Sequence, residues 1–243
     1  MATLDLNSLE EMPEVDSDTA SVRTETALAP STLYNQSGIE ADMNASDVRI
    51  PRINLLQKSS ELAEEDGWNP GDIAFAKEVK LVPFGSAAKV SFLHLRRQYQ
   101  QHLEWGSQEK PLVYDTREEV FANGGSLQYN AANEYRPIAH LTMLIEQPAD
   151  ADESDEAYFP LAFDGKQYSL AMWTVGSSAY TSVAKELMTA ASIFLKDGIH
   201  KVAWELTVEK KKSGTNTFMV PKVKQAGKHS SEFVEFLEAL LPR

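Results

Sequence analysis

Residues 199–224, IHKVAWELTVEKKKSGTNTFMVPKVK, restrict the possible folds of this chain more than any other stretch. Trp204, Leu206 and Val208 alternate with Ala203, Glu205 and Thr207, the period-two pattern of a strand with one buried face. Lys210, Lys211 and Lys212 follow, and then Ser213, Gly214, Thr215 and Asn216, small polar residues that reverse a chain. Thr217–Lys224 resumes the extended pattern, so the stretch predicts a hairpin with Trp204 on its core face and a lysine-rich tip.

The same reasoning extends the sheet upstream. Ile73, Phe75, Val79 and Leu81 share one face of an extended run that stops at Pro83, and Lys89–Arg97 is its expected antiparallel partner. Arg136–Glu146 is another apolar strand, and residues 157–163 and 166–175 flank Asp164-Gly165, a strong hairpin signal. One long helix precedes the lysine hairpin. Ser177 or Ser178 caps it, and Tyr180, Val183, Ala184, Leu187, Ala191, Phe194 and Leu195 recur at three- and four-residue steps. A short helix over 230–241 presents Phe233, Phe236, Leu237 and Leu240 on one side. Residues 106–135, with a short helix at Thr116–Ala122, read as an insertion between strands. The expected fold is therefore mainly β with helices (α+β): an OB-fold-like antiparallel barrel with one helix before the closing hairpin.

The formal charge of −13 argues against nucleic acid until it is divided by position. Residues 1–48 hold ten acids against Arg23 alone, a charge of −9, so the rest of the chain carries −4. Six acids between Glu146 and Glu156, in the acidic loop near 147–156, outweigh that remainder, so the body outside them comes to about +2, close to neutral with local basic features. Residues 1–47 show no sustained period and read as a disordered acidic arm, either solubilising or recruiting partners. Residues 48–243 read as a single domain. With no cysteine, disulfides, thiolate zinc sites and thiol nucleophiles drop out. No run of about 18 apolar residues occurs, so a cytoplasmic protein without a membrane span is expected.

Catalytic motifs are scarce. No Walker loop, G-x-G-x-x-G, G-x-S-x-G or H-E-x-x-H is present. The five histidines, His94, His102, His140, His200 and His229, lack metal-ligand spacing, and no cofactor is called for. Asp72 with Glu78 and Lys80 has the residue types of a magnesium-dependent nuclease, although a solvated strand face calls for the same residues. What remains is binding chemistry. Arg96, Arg97, Tyr99, His102 and Trp105 interleave cations with rings, as a channel for unpaired nucleic acid requires.

IPRINLLQ at 50–57, GDIAF at 71–75, and the helix followed by EKKKSGTNTFMVPKV at 209–223 give the chain a resemblance to phage-encoded single-stranded DNA-binding proteins with an elaborated OB-fold, over about residues 49–229. The resemblance implies sequence-independent, non-catalytic binding of single-stranded DNA in replication or recombination. Lys210, Lys211, Lys212, Lys222, Lys224, Arg96 and Arg97 would contact phosphates, and Tyr99 and Trp105 would stack on bases. It also implies replication or recombination proteins as partners of an acidic tail, and allows a homo-oligomer. Such tails are commonly C-terminal. Here the acidic arm is N-terminal, so that role does not carry across by position. A protein-interaction or virion-associated module is the alternative.

Overall fold

The computed structural model describes residues 50–241 apart from 105, 152, 196 and 197. The expected acidic arm over 1–47 and the ring of Trp105 lie outside the described residues.

Ile53–Leu55 (β1), Ile73–Phe75 (β2) and Val79–Val82 (β3) form a small antiparallel sheet. The sequence predicts one extended run over 73–82, but the chain reverses within it. Ala76 and Lys77 take φ of 55° and 67°, and the two halves pair with each other. A tight turn without Gly or Asn at its positive-φ positions leaves almost no sequence signal.

The main sheet contains Ala88–Gln101 (β4), Val113–Tyr114 (β5), Tyr135–Glu146 (β6), Leu161–Phe163 (β7), Lys166–Gly176 (β8), Val202–Ser213 (β9) and Asn216–Lys228 (β10). Its order is β10-β9-β4-β6-β8-β7 with β5 added to β4, and its pairs are antiparallel. β4 therefore pairs with β6, β9 and β5 rather than with the 73–82 run. Asp164 and Gly165 turn the β7–β8 hairpin at φ of 48° and 73°, as that dipeptide predicts.

Helices complete the fold. Arg117–Ala122 (α1) starts from Thr116, whose hydroxyl accepts from Glu119 N at 3.1 Å. Ser177–Ala179 (α2), a π turn over Tyr180–Ala184 and Lys185–Ile193 (α3) run on as the long helix expected before the closing hairpin. It ends at Ile193, which leaves Phe194 outside at 74% exposure instead of on the buried side. Ser231–Ala239 (α4) starts from Ser230, whose Oγ accepts from Phe233 N at 3.2 Å.

Strand alternation gives the main sheet two faces with different covers. On the inner face Val90, Phe92, Leu141, Met143, Trp173, Val175, Trp204 and Leu206 pack with Tyr180, Val183 and Leu187 of the long helix. Each such side chain removed from water contributes about 1.5–3 kcal/mol, so the helix is held chiefly by this face. On the outer face, α4 lays Phe233, Leu237 and Leu240 over Leu93, Leu144, Tyr168 and Leu170. It covers one half of that face; among the described residues no helix lies over the other half, around His140 and Thr174.

The path from β10 to β7 does not close into a barrel by strand pairing. Instead the first described segment bridges it. Met172 N of β8 donates to Pro51 O at 2.9 Å, next to a parallel bridge between Arg52 and Met172. At the other end, the Gln57 side-chain amide does the work of a neighbouring strand for β10. Gln57 Nε2 donates to Met219 O, and Met219 N donates to Gln57 Oε1, each at 2.9 Å.

Candidate nucleic-acid interface

The register of β9 and β10 divides the hairpin lysines between two faces. Lys210 lies opposite Met219 and Lys212 opposite Thr217, on the face that carries Trp204, Leu206 and Val208. Lys211, opposite Phe218, falls on the other face together with Lys222 and Lys224. Lys222 Nζ is 3.3 Å from Glu209, and Lys224 stands directly across from Glu205. Cross-strand charge pairs of this kind stabilise a hairpin by about 0.2–1 kcal/mol, and they offset much of the charge a phosphate would meet. Lys210, Lys211 and Lys212 remain exposed at the tip.

The β4 cluster disperses in the same way. Arg96 and Arg97 are consecutive in a strand and so face opposite sides. Arg96 Nη2 meets Asp115 at 2.9 Å, and Gln98 donates to the same carboxylate at 2.6 Å. Arg97 lies over the Tyr99 ring, 5.6 Å from its centroid, and its charge partly offsets the burial that pushes the Tyr180 hydroxyl up. Tyr99 is only 3% exposed, packed with Val120 and Tyr135, and its hydroxyl accepts from Arg117 Nε at 2.9 Å. It is a core residue of the 106–135 insertion, not an exposed stacking ring.

Asp72, Glu78 and Lys80 do not gather into a nuclease site. Glu78 sits at the β2–β3 turn and accepts from the Tyr158 hydroxyl, whereas Asp72 lies at the far end of that hairpin. Among the described residues no group of three or more acids and histidines could hold a metal ion. Asp72 instead builds a wall. Its carboxylate is 1% exposed, accepts from Asn69 N at 2.9 Å and Phe84 N at 2.7 Å, and meets Lys80 Nζ at 3.1 Å. Lys80 also donates to Gly67 O and lies 5.2 Å from the centre of the Trp68 ring.

That wall closes one side of an open cleft of about 410 Å3 beside the tip of the lysine hairpin. Lys58, Lys80 and Lys210 line it with Phe84 and Met219. The clamp between Gln57 and Met219 places Lys58 beside β10, and the β9–β10 register places Lys210 opposite Met219. Phe84 is 44% exposed and packs on Gly71, where a Cβ would come within 2.4 Å of the ring. Among the described residues neither Lys58 nor Lys210 has an acidic partner within 4.0 Å. Cation and ring thus meet here rather than at Tyr99. Lys58 and Phe84 are missing from the sequence-derived set, because separations of 162 residues between Gln57 and Met219 leave no local pattern. The one available clue is Asn69-Pro70-Gly71-Asp72, a turn followed by an acid that can bind backbone amides.

A family model described as Pam3 phage gp34-like protein matches residues 23–240. The chain belongs to this phage family. No curated protein and no solved structure matches it. Among the described residues no helix is long and apolar enough to cross a membrane.

Proposed function

We propose that this phage-family member binds single-stranded DNA without reading its sequence and without catalysing a reaction. The observation that carries this reading is the cleft in which Lys58, Lys80 and Lys210 meet the exposed ring of Phe84. Lys58 and Lys210 are the phosphate ligands. Lys80, already neutralised by Asp72, holds the Trp68 and Gly67 loop in place. Phe84 is the stacking ring, and Lys212, on the same strand face as Lys210, continues the cationic track along the arm. An unpaired base can reach such a ring, whereas a base inside a duplex is already stacked on its neighbours. A cleft of this volume suits one flexible unit of a strand rather than a whole helix. Replication or recombination in the host cytoplasm is the setting this reading supports, with partners recruited through the acidic N-terminal arm. The exposed Leu112, Phe121 and Tyr129 of the insertion favour a second reading, a protein-interaction or virion-associated module.

The test is a titration of full-length protein against fluorescent single and double strands over a range of salt. Single strands are expected to bind more tightly. Phe84→Ala should remove about 1–3 kcal/mol of affinity, and Lys58→Ala with Lys210→Ala should flatten the salt slope by about 1.4. Absence of binding at low salt would refute the reading and leave the interaction module in its place.

A further inference from the structure

The half of the outer face that α4 leaves open has its own pattern. Strand pairing sets Arg96, His140 and Thr174 in one rung across β4, β6 and β8. The next rung is His94, Thr142 and Met172, and Met172 is bridged to Arg52. Two positions beyond His140 on the same face comes Ile138, and two further comes Arg136, which lies 5.5 Å from the centre of the Tyr129 ring. Tyr129 is 78% exposed. Positions two apart on a strand are separated by about 6.8 Å, so Thr142 to Arg136 spans roughly 20 Å.

None of these strand positions carries an acid. Among the described residues the face meets carboxylates through Asp115, which fixes Arg96 by one nitrogen, and Glu134, 2.6 Å from Arg136 Nε. Arg96 keeps its other guanidinium donors, and Arg52 has no acidic partner among the described residues. His140 Nδ1 is 3.0 Å from Thr174 Oγ1, which turns the ring's other nitrogen away from that hydroxyl. Burial first, and then the charges of Arg96 and Arg52, hold the His140 imidazole below its usual range. The fields of both arginines therefore converge on the centre of this face.

The two basic regions are joined by one short piece of chain. Arg52 stands at the β8 end of the bridging segment and Lys58 at its β10 end, at most about 20 Å apart even if fully extended. We propose that the open half of the outer face, centred on Arg52, Arg96, His140 and Thr174 and ending at Tyr129, is a second contact segment for the same single strand. The strand leaves the Lys58 cleft, crosses the bridging segment and lies along the rungs, with Arg52 and Arg96 on phosphates and Tyr129 under a base. This inference rests on the single-strand reading and adds a length requirement to it.

Length separates the two segments experimentally. Full-length protein would be titrated with oligothymidine of about 4 and about 16 nucleotides, the range of site sizes for small binding domains. Thermal melting of each variant would check that it remains folded. Arg52→Ala with Thr174→Glu should weaken the long strand about tenfold and leave the short one unchanged. Thr174→Lys, a gain-of-charge variant, should tighten the long strand about threefold only. Lys58→Ala with Lys210→Ala should weaken both lengths. An unchanged ratio of long to short affinity in the Thr174 variants would overturn the second segment while leaving the cleft intact. Wild-type protein that binds neither length would overturn the parent reading, and this one with it.

Discussion

Replacing Asp72 should show how much of the cleft depends on one buried carboxylate. Its two oxygens satisfy the backbone N–H groups of Asn69 and Phe84 and face Lys80 at 3.1 Å. In Asp72→Ala both amides lose their acceptor, and a buried donor left unpaired costs about 1–3 kcal/mol. Adding the uncompensated lysine brings the expected loss to about 3–5 kcal/mol, a large part of the roughly 5–15 kcal/mol that holds a domain together. Asp72→Asn keeps one carbonyl oxygen and should lose about half as much. Lys80→Met should cost less than Asp72→Ala, because the lysine side chain is 31% exposed and the buried carboxylate keeps both amide donors. Urea unfolding of the three variants checks the order. If Lys80→Met were as damaging as Asp72→Ala, or Asp72→Ala cost under about 1 kcal/mol, the amides would not be the main load on Asp72 and the argument would fail.

Tyr99→Leu should lower stability by about 1–3 kcal/mol and leave DNA affinity unchanged at a temperature where the protein is folded; a loss of affinity without a loss of stability would restore Tyr99 as a stacking ring. The second prediction concerns pH. His140 and His229 are both held below the ordinary histidine range, chiefly by burial, so each is neutral in the folded protein while the unfolded chain begins to bind protons near pH 6.5. Stability should therefore fall as pH drops below about 6.5 and level off once the folded pKa values are passed. A urea midpoint equal at about pH 7.5 and about pH 5.5, or a His140→Gln/His229→Gln variant with the same pH slope as wild type, would contradict this.

Elements with a strong local code were legible in the sequence, and the meeting of distant elements was not. The lysine hairpin follows from the alternation at Trp204, Leu206 and Val208 and from a loop that contains Gly214 at φ 59°. Thr116 and Ser230 cap helices whose starts the sequence places there, whereas the cap expected at Ser177 or Ser178 does not form: that helix starts from Gly176 with no side-chain cap bond. The β2–β3 reversal was hidden because Ala76 and Lys77 take positive φ without the residues that favour it. Tyr99 misled for another reason: a half-polar ring between arginines reads the same whether it faces solvent or an insertion that packs on it. The cleft was unreadable locally, since Lys58 and Lys210 become neighbours only through the amide of Gln57 and the backbone of Met219.

The bridging segment between Pro51 and Gln57 also bears on how the chain is made. It leaves the ribosome before either strand it joins, since its contacts reach forward to Met172 and Met219. Until β10 has been synthesised, Gln57 has no backbone to clamp. Contacts of such long sequence separation are the slowest to form, because much of the chain must be confined before they are made. The segment synthesised first among the described strands is therefore the last to be fully seated, and the cleft beside it exists only in the finished molecule.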